Sequence, residues 1–230
     1  MAGRAGRVLL SAGLVLVTLA GGAGGYGLGH LTQPEERPSG TASPLGPGTG
    51  TPTPVEPRNV AVPDPTPALK RNKLQYKERE FTSELTVRSQ VTVDVPKNWP
   101  MTMSAETPNE ARFTDPAAKR FIRIKAGFTI EEPPAAALAA RIAGLAATPY
   151  RANLKIVSKV VANDKRSATL VYTWIPDRTL RYVMVRWVAL DDSGNSAVEI
   201  GTGGLDQDRE ALDAVLDRAS ETVTRSDSSL

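Results

Sequence analysis

Two segments near the middle of the chain are apolar on both faces of an extended strand and are separated by a short turn. They read LVYTWI and LRYVMVRWVAL, and the turn PDRT spans residues 176–179. A strand that is apolar on both faces has to be covered on both sides. A turn of this length joins antiparallel neighbours. The pair therefore predicts two central antiparallel strands with packing layers on both faces of the sheet.

Further strands and two helices are predicted on either side of this pair. Alternating apolar residues predict strands over residues 85–95, 121–130, 154–162, 167–175, 180–190 and 196–201. Apolar residues at helical spacing predict helices over residues 131–148 and 206–223. The segment GTGG, residues 201–204, is predicted to be a turn. The order strands, helix, strands, helix predicts an α+β fold, an antiparallel sheet with helices packed on it.

The first 31 residues contain a long uncharged segment. It follows Arg4 and Arg7, and the next charged residue is Glu35. This stretch is long enough to cross a bilayer as a helix, and the two arginines favour a cytoplasmic N-terminus. Two interpretations remain open. Residues 1–31 are either a single-pass anchor that holds the rest of the chain outside the cell membrane, or a signal peptide whose cleavage near residues 20–23 releases a secreted protein.

Residues 32–73 are predicted to be a disordered linker. Ten of the 18 prolines of the chain lie between residues 32 and 69, together with many glycines and threonines. Such a composition cannot bury enough apolar surface to offset the entropy that ordering costs. We therefore predict a folded extracytoplasmic domain over residues 74–226 and a disordered tail over residues 227–230.

The charges of the predicted domain are unevenly distributed. Residues 70–190 contain 21 Lys or Arg and 11 Asp or Glu, whereas residues 191–230 contain 3 and 10. Arg120, Arg123 and Lys125 are predicted to form part of a basic surface. Outside a membrane the available polyanions are lipid head groups and anionic wall polymers, so nucleic acid is not an expected partner.

Arg186 interrupts an apolar strand and shares one face of it with Tyr182. A buried arginine needs a carboxylate or several carbonyl groups around it. Two interpretations follow. Arg186 is either held in an internal ion pair or at a wet edge of the sheet, or it recognises an anion in a pocket beside Tyr182.

Several enzyme classes are excluded by residues that the chain lacks. It has no cysteine, and its one histidine, His30, precedes the predicted domain. This removes Ser-His-Asp and Cys-His nucleophile systems and most transition-metal sites. Asp191 and Asp192 are adjacent in sequence and point apart, so they do not form an acid/base pair. No catalytic residue, metal or cofactor is predicted, and the chain is not expected to be an enzyme.

One short motif carries a resemblance to a known family. A strand ends in V-P-x-x-W, with Val95, Pro96 and Trp99, before a helix, hairpin strands and a C-terminal helix. This order resembles the PsbP-like superfamily, and in particular the LpqN-type secreted proteins of actinobacteria. The resemblance implies an α/β sandwich, a non-enzymatic binding or accessory role, and a tryptophan packed over one end of the sheet.

These observations together predict a membrane-tethered, non-enzymatic binding or accessory module outside the cell membrane. Its expected partner is a protein of the cell envelope or an anionic envelope component, bound by the basic surface. An alternative is a module that binds a small molecule or lipid in a pocket between sheet and helix. An enzyme that depends on carboxylates ranks last.

Overall fold

The computed structural model describes residues 56–127 and 132–229. Within these ranges ten strands form: β1 Tyr76–Glu84, β2 Arg88–Pro96, β3 Met101–Ser104, β4 Thr107–Thr114, β5 Phe121–Lys125, β6 Lys155–Val161, β7 Ser167–Trp174, β8 Arg181–Val188, β9 Val198–Leu205 and β10 Thr224–Ser228. Two α-helices accompany them: α1 Pro134–Leu145 and α2 Arg209–Thr222. The predicted N-terminal helix, the first part of the predicted linker and Glu131 lie outside the described residues.

Seven strands form one antiparallel sheet in the order β3-β4-β5-β9-β8-β7-β6. The two strands with apolar residues on both faces, β7 and β8, pair from Ser167 opposite Val188 to Trp174 opposite Arg181. They lie inside the sheet, because β6 and β9 flank them. The predicted α+β class with an antiparallel sheet and packed helices is confirmed.

A second sheet of three antiparallel strands has the order β1-β2-β10. β1 pairs with β2 along its whole length, from Tyr76 opposite Pro96 to Glu84 opposite Arg88. β2 buries Val91, Val93 and Val95, each at most 1% exposed, as their alternation predicts. The inner face of this small sheet therefore closes over the main core.

The two faces of the large sheet are covered by different layers. On one face, α2 and the small sheet enclose the main core, which contains Phe113 of β4, Ile200 of β9 and Leu212 of α2. On the other face, Ala137 and Leu138 of α1 pack on β7 and β8. Both faces of the central strands are thus covered, which explains why those strands are apolar on both sides.

Trp99 is 4% exposed and belongs to the main core. Its backbone N–H donates to the carbonyl of Pro96, so the turn after β2 directs the chain back over the core. The prediction that Trp99 is a core residue is confirmed. A large aromatic side chain contributes more buried apolar area than other residues, which suits the position where two sheets separate.

The folded region extends further than the predicted boundaries at both ends. Residues 59–69, which we call the strap, fell within the predicted linker, yet they lie along the domain. The amides of Asn59 and Val62 donate to the carbonyls of Arg151 and Arg178. Leu69 donates its amide to Asp208 at 2.7 Å. The proline-rich composition predicted disorder, but these backbone amides form hydrogen bonds with groups that are distant in sequence.

The predicted tail is also partly ordered. β10 reaches Ser228 and pairs with β2, from Thr224 opposite Thr92 to Ser228 opposite Arg88. The segment TRSDS has no apolar alternation, so only the exposed edge of β2 makes it a strand. Within residues 56–127 and 132–229, no helix is both long and apolar enough to cross a bilayer.

Candidate functional site

A cleft of about 430 Å³ opens on the face of the large sheet that carries α1. It forms because α1 packs on β7 and β8 and leaves the neighbouring part of the sheet, over β4, β5 and β9, without a covering layer. The cleft is lined by Glu110, Arg112, Thr114, Ala118, Lys119, Arg120, Phe121, Arg123, Arg141, Tyr172, Trp174, Pro176, Arg181, Val183, Gly203 and Gly204. Six of these side chains are cationic and one is a carboxylate, so the lining of the cleft is predominantly basic.

Glycines of β9 make room for the side chains on the cleft side of the sheet. The prediction that GTGG forms a turn is wrong, because residues 201–204 lie within β9. A Cβ at Gly203 would lie 2.7 Å from the ring of Phe121, and one at Gly201 would lie 2.8 Å from Nε of Arg123. The β5 side chains therefore lie flat across bare backbone of the neighbouring strand.

Gly203→Ala is expected to lower the free energy of unfolding by about 1 to 3 kcal/mol, because the new methyl group displaces the Phe121 ring. Gly144 of α1 provides a matched control, since a Cβ there meets nothing within 4 Å. Gly144→Ala is expected to stabilise the protein by up to about 1 kcal/mol through helix propensity. Urea unfolding of both variants measures the difference. Equal effects of the two substitutions would contradict the close approach at Gly203.

Two arginines of the cleft face each other across neighbouring strands. Arg112 of β4 lies directly opposite Arg123 of β5. Like charges in this position destabilise a sheet unless other groups compensate. The guanidinium of Arg112 lies 3.8 Å from the centre of the Phe121 ring, a cation–π contact. Burial lowers the pKa of Arg112 from its usual value, and the charge of Arg123 acts in the same direction.

Arg123 is held by two carboxylates. It donates to Glu110 of β4 at 3.2 Å and to Glu199 of β9 at 2.9 Å. Glu199 also accepts a hydrogen bond from the indole of Trp187 at 3.1 Å. Lys125 contacts Glu110 at 3.4 Å. Arg123 and Lys125 therefore lie on one face of β5, as predicted, but their charges are largely neutralised by these acids.

Arg141 and Arg181 approach the same cleft from α1 and β8. Nε of Arg141 is buried and has no hydrogen-bond partner among the described residues. Arg181 donates to the backbone carbonyl of Lys119 at 3.0 Å. No carboxylate in the described part of the chain lies within ion-pairing distance of Arg112, Arg141 or Arg181. These three guanidiniums are the cations of the cleft that form no ion pair with a described residue, although Glu110 acts on the charge of Arg112 and Asp177 interacts with Arg181 at longer range.

Arg120 is not part of an exposed basic surface, contrary to the expectation from sequence. Its side chain is 6% exposed and lies between two carboxylates, at 2.7 Å from Asp208 and 3.1 Å from Asp115. Burial disfavours the charged guanidinium, but hydrogen bonds to both acids outweigh this and raise the pKa of Arg120. Arg120 also donates to the carbonyl of Pro67 and so holds the strap.

The strap carries one further ion pair beside the cleft. Asp64 accepts from Nζ of Lys119 at 2.9 Å. Hydrogen bonds from Thr66 and Lys119 hold the pKa of Asp64 well below its usual value. Lys119 therefore lines the cleft with its charge already paired.

Tyr182 and Arg186 lie on the opposite face of the sheet, under α2. Arg186 donates to Asp217 at 2.9 Å, to Ser220 at 2.7 Å and to Thr169 at 2.9 Å. This geometry agrees with the internal ion pair among the two interpretations of Arg186. Tyr182 packs against the main core, and burial raises its pKa. The five predicted site residues are thus divided between two faces of one sheet.

The described residues offer little for catalysis or metal binding. They contain no group of three or more acidic or histidine side chains arranged to hold a metal ion. The one carboxylate of the cleft, Glu110, is engaged by Arg123 and Lys125. The arrangement can bind an anion and exclude cations, but it presents no nucleophile with an adjacent base.

Sequence reasoning did not identify Arg112, Arg141 or Arg181. The three lie far apart in sequence: Arg141 follows Arg112 by 29 residues, and Arg181 follows Arg141 by 40. A signal existed for Arg112, because Glu110, Arg112 and Thr114 alternate with buried Ala111 and Phe113. No signal in the sequence indicates that α1 and β8 approach the same place.

No protein-family profile and no curated protein sequence matches this chain. Solved structures that are similar to it in fold include the following two. The Ran-binding protein Mog1p of Saccharomyces cerevisiae is 10% identical, with a TM-score of 0.48, over 66% of this chain and 96% of that chain. LpqN, involved in cell envelope biogenesis of Mycobacterium tuberculosis, is 15% identical, with a TM-score of 0.42, over 68% of this chain and 94% of that chain.

These likenesses concern the path of the chain alone. With TM-scores below 0.5 and identities of at most 15%, they do not bear on what this protein binds. LpqN represents the type of protein that the segment around Val95, Pro96 and Trp99 resembles. Membership of the PsbP-like superfamily stays a prediction.

Proposed function

We propose that this chain is a non-enzymatic binding module of the cell envelope. The N-terminal segment holds the folded domain outside the cell membrane, and the arginine cleft captures an anionic group of an envelope component. That component is a protein or a polymer with exposed acidic groups. Arg112, Arg141 and Arg181 contact the anion, and Arg123 supports them from the centre of the cleft.

One observation carries this proposal: three guanidiniums line one cleft, and none of them forms an ion pair with a described carboxylate. Half-buried cations without ion-pair partners repel one another and lose hydration, which costs stability. A bound anion offsets that cost through charge-assisted hydrogen bonds.

The location outside the membrane is supported by the sequence. Arg4 and Arg7 precede an uncharged segment, and a proline-rich stretch separates that segment from the domain. A proline-rich chain is an extended spacer. The absence of cysteine and the position of His30 also favour a binding role, because common nucleophilic mechanisms need those side chains in the folded domain.

The alternative of a small-molecule module is favoured by the position of the cleft. Its residues come from both the sheet and α1, so it is a pocket between sheet and helix as that alternative requires. Its volume lies within the usual range of small-molecule sites. A small anionic ligand and an anionic group on a larger component would use the same guanidiniums.

Envelope binding can be measured with the full chain in phosphatidylcholine nanodiscs. Fractionated envelope material is expected to bind at low salt and to dissociate as ionic strength rises, because the contact is electrostatic. Arg112→Gln combined with Arg141→Gln removes two of the three unpaired charges and is expected to weaken binding by about tenfold or more.

The matched control removes two cations outside the cleft. Arg71 and Lys159 are exposed and are not among the lining residues. Arg71→Gln combined with Lys159→Gln lowers the net charge equally and is expected to leave binding within about twofold. Equal losses in both double variants would show a diffuse charge effect and would contradict a role for the cleft.

A further inference from the structure

The three unpaired guanidiniums need more oxygen atoms than one carboxylate can present. A carboxylate has two oxygens and matches one guanidinium fork. A phosphomonoester carries nearly two charges at neutral pH and three strong acceptor oxygens. Arg112, Arg141 and Arg181 line the cleft from three separate elements, β4, α1 and β8. An acceptor with three oxygens can serve more of these donors than a planar carboxylate can.

The cleft also has apolar and aromatic lining residues. Phe121, Trp174 and Val183 are half-buried, and Tyr172 is 6% exposed. Pro176 completes this surface. Inorganic phosphate alone would leave it uncovered. Small-molecule sites combine such surfaces with a few polar groups that orient the ligand.

The size of the cleft limits what the phosphate can be attached to. A volume of about 430 Å³ accommodates one sugar-sized ring with its phosphate, and the open side allows the ring to continue into a larger molecule. Glu110 lies at the same end as Arg112 and Arg123 and can accept a hydrogen bond from a ring hydroxyl.

We infer that the arginine cleft binds a phosphomonoester on a sugar-sized ring. This inference rests on the proposed function, because it names the ligand class of the same cleft. The phosphate contacts Arg112, Arg141 and Arg181, and the ring lies on Trp174. Such a group can come from a soluble sugar phosphate or from the phosphorylated head group of a lipid.

Calorimetric titration of the full chain in phosphatidylcholine nanodiscs separates the contributions of charge and ring. Four probes share parts of one structure: glucose 6-phosphate, glucuronate, glucose and inorganic phosphate. Glucose 6-phosphate is expected to bind most tightly, by about tenfold or more over glucuronate, because it offers one more acceptor oxygen and more charge. Inorganic phosphate is expected to bind more weakly than glucose 6-phosphate, and glucose is expected not to bind.

Variants assign the binding to the cleft. Arg141→Gln is expected to weaken glucose 6-phosphate binding by about tenfold or more, whereas Arg71→Gln is expected to leave it within about twofold. Trp174→Phe tests the ring contact without removing charge. This substitution is expected to weaken the binding of glucose 6-phosphate and to leave the binding of inorganic phosphate unchanged. Thermal unfolding of each variant shows whether the fold is retained.

A competition experiment distinguishes the two sources. Phosphatidylcholine vesicles containing phosphatidylinositol 4-phosphate are added to the chain loaded with glucose 6-phosphate. Displacement indicates that a lipid head group reaches the cleft, and retention indicates a soluble ligand. Both results support the inference, provided that glucose 6-phosphate binds in the cleft.

Two results would overturn the inference, and they differ in what they imply for the proposed function. If glucuronate bound as tightly as glucose 6-phosphate or more tightly, and Arg141→Gln abolished that binding, a phosphomonoester would be rejected as the preferred ligand. The cleft would still be an anion-binding site. Failure of glucose 6-phosphate, glucuronate and inorganic phosphate to bind would reject the phosphate as well. If envelope binding were still weakened by Arg112→Gln combined with Arg141→Gln, the proposed function would stand. If envelope binding were also absent, both the inference and the proposed function would be rejected.

Discussion

Arg120→Met is expected to lower the free energy of unfolding by about 3 to 5 kcal/mol, because it leaves two buried carboxylates without their cation. Asp208 and Asp115 both contact this guanidinium, and their side chains are 0% and 5% exposed. Methionine fills most of the space but pairs with neither acid. Urea unfolding followed by circular dichroism measures the loss.

Arg209→Met is the matched control for this substitution. Arg209 forms an ion pair with Asp206 on the surface, where its side chain is 50% exposed. Exposed pairs contribute at most about 1 kcal/mol, so the control is expected to remain near wild-type stability. A loss below about 1 kcal/mol for Arg120→Met would show that water solvates the two carboxylates in the folded state.

Arg120→Met is also expected to release the strap from the domain. Arg120 contacts the carbonyl of Pro67, and Asp208 accepts the amide of Leu69. Limited proteolysis between residues 59 and 69 is therefore expected to be faster in Arg120→Met than in Arg209→Met. Unchanged cleavage would mean that the other strap contacts, at Asn59, Val62 and Asp64, hold it without the buried ion pairs.

Trp99→Ala is expected to lower the free energy of unfolding by about 3 to 5 kcal/mol, because it leaves a cavity in the main core. Trp99 is 4% exposed and lies where the chain leaves the small sheet. Chemical unfolding monitored by circular dichroism measures the change without relying on tryptophan emission.

Trp99→Phe keeps an aromatic ring at this position and is expected to cost less than Trp99→Ala. Met103→Ala serves as a surface control, since Met103 is 40% exposed in β3. That variant is expected to change stability by no more than about 0.5 kcal/mol. A loss of similar size for Trp99→Ala would contradict its assignment to the core.

The α+β order of elements could be predicted because its signals are local. Alternation in β5, β7 and β8, and helical spacing in α2, each arise within one segment and need no knowledge of the fold. The prediction of two covered faces for β7 and β8 followed from their apolar residues alone. These segments have strong patterns because both of their faces are buried.

Elements at the edges of the fold were harder to predict. β1, with the sequence YKEREFTSE, buries Phe81 and Ser83 on its inner face and is otherwise polar. β10 is polar throughout, and GTGG in β9 resembles a turn. Pairing with a neighbouring strand decides the conformation of all three, and pairing is a long-range interaction that composition does not report.

Arg123 and Lys125 share one half-buried face of β5, as their spacing predicts, but Arg120 and Arg186 do not act as surface charges. Asp115 is close to Arg120 in sequence, whereas Asp208 and Asp217, which pair with Arg120 and Arg186, lie more than 30 residues further along the chain. The basic and acidic parts of the sequence, which indicated separate surfaces, thus pair with one another. Coulomb attraction in a half-buried setting depends on distances that only folding sets.

The amino-acid sequence by itself established the α+β order of the main elements, the covered central strands and the lack of cysteine and histidine in the domain. Those conclusions rest on periodicity and on residue type, which are properties of short segments, whereas the core position of Trp99 was implied by the family resemblance. The position of each charge depended on tertiary structure. The strand order β4-β5-β9-β8 and the placement of α1 bring Arg112, Arg141 and Arg181 to one cleft, whereas α2 neutralises Arg186. Contacts between residues far apart in sequence decide which cations remain available to an anion.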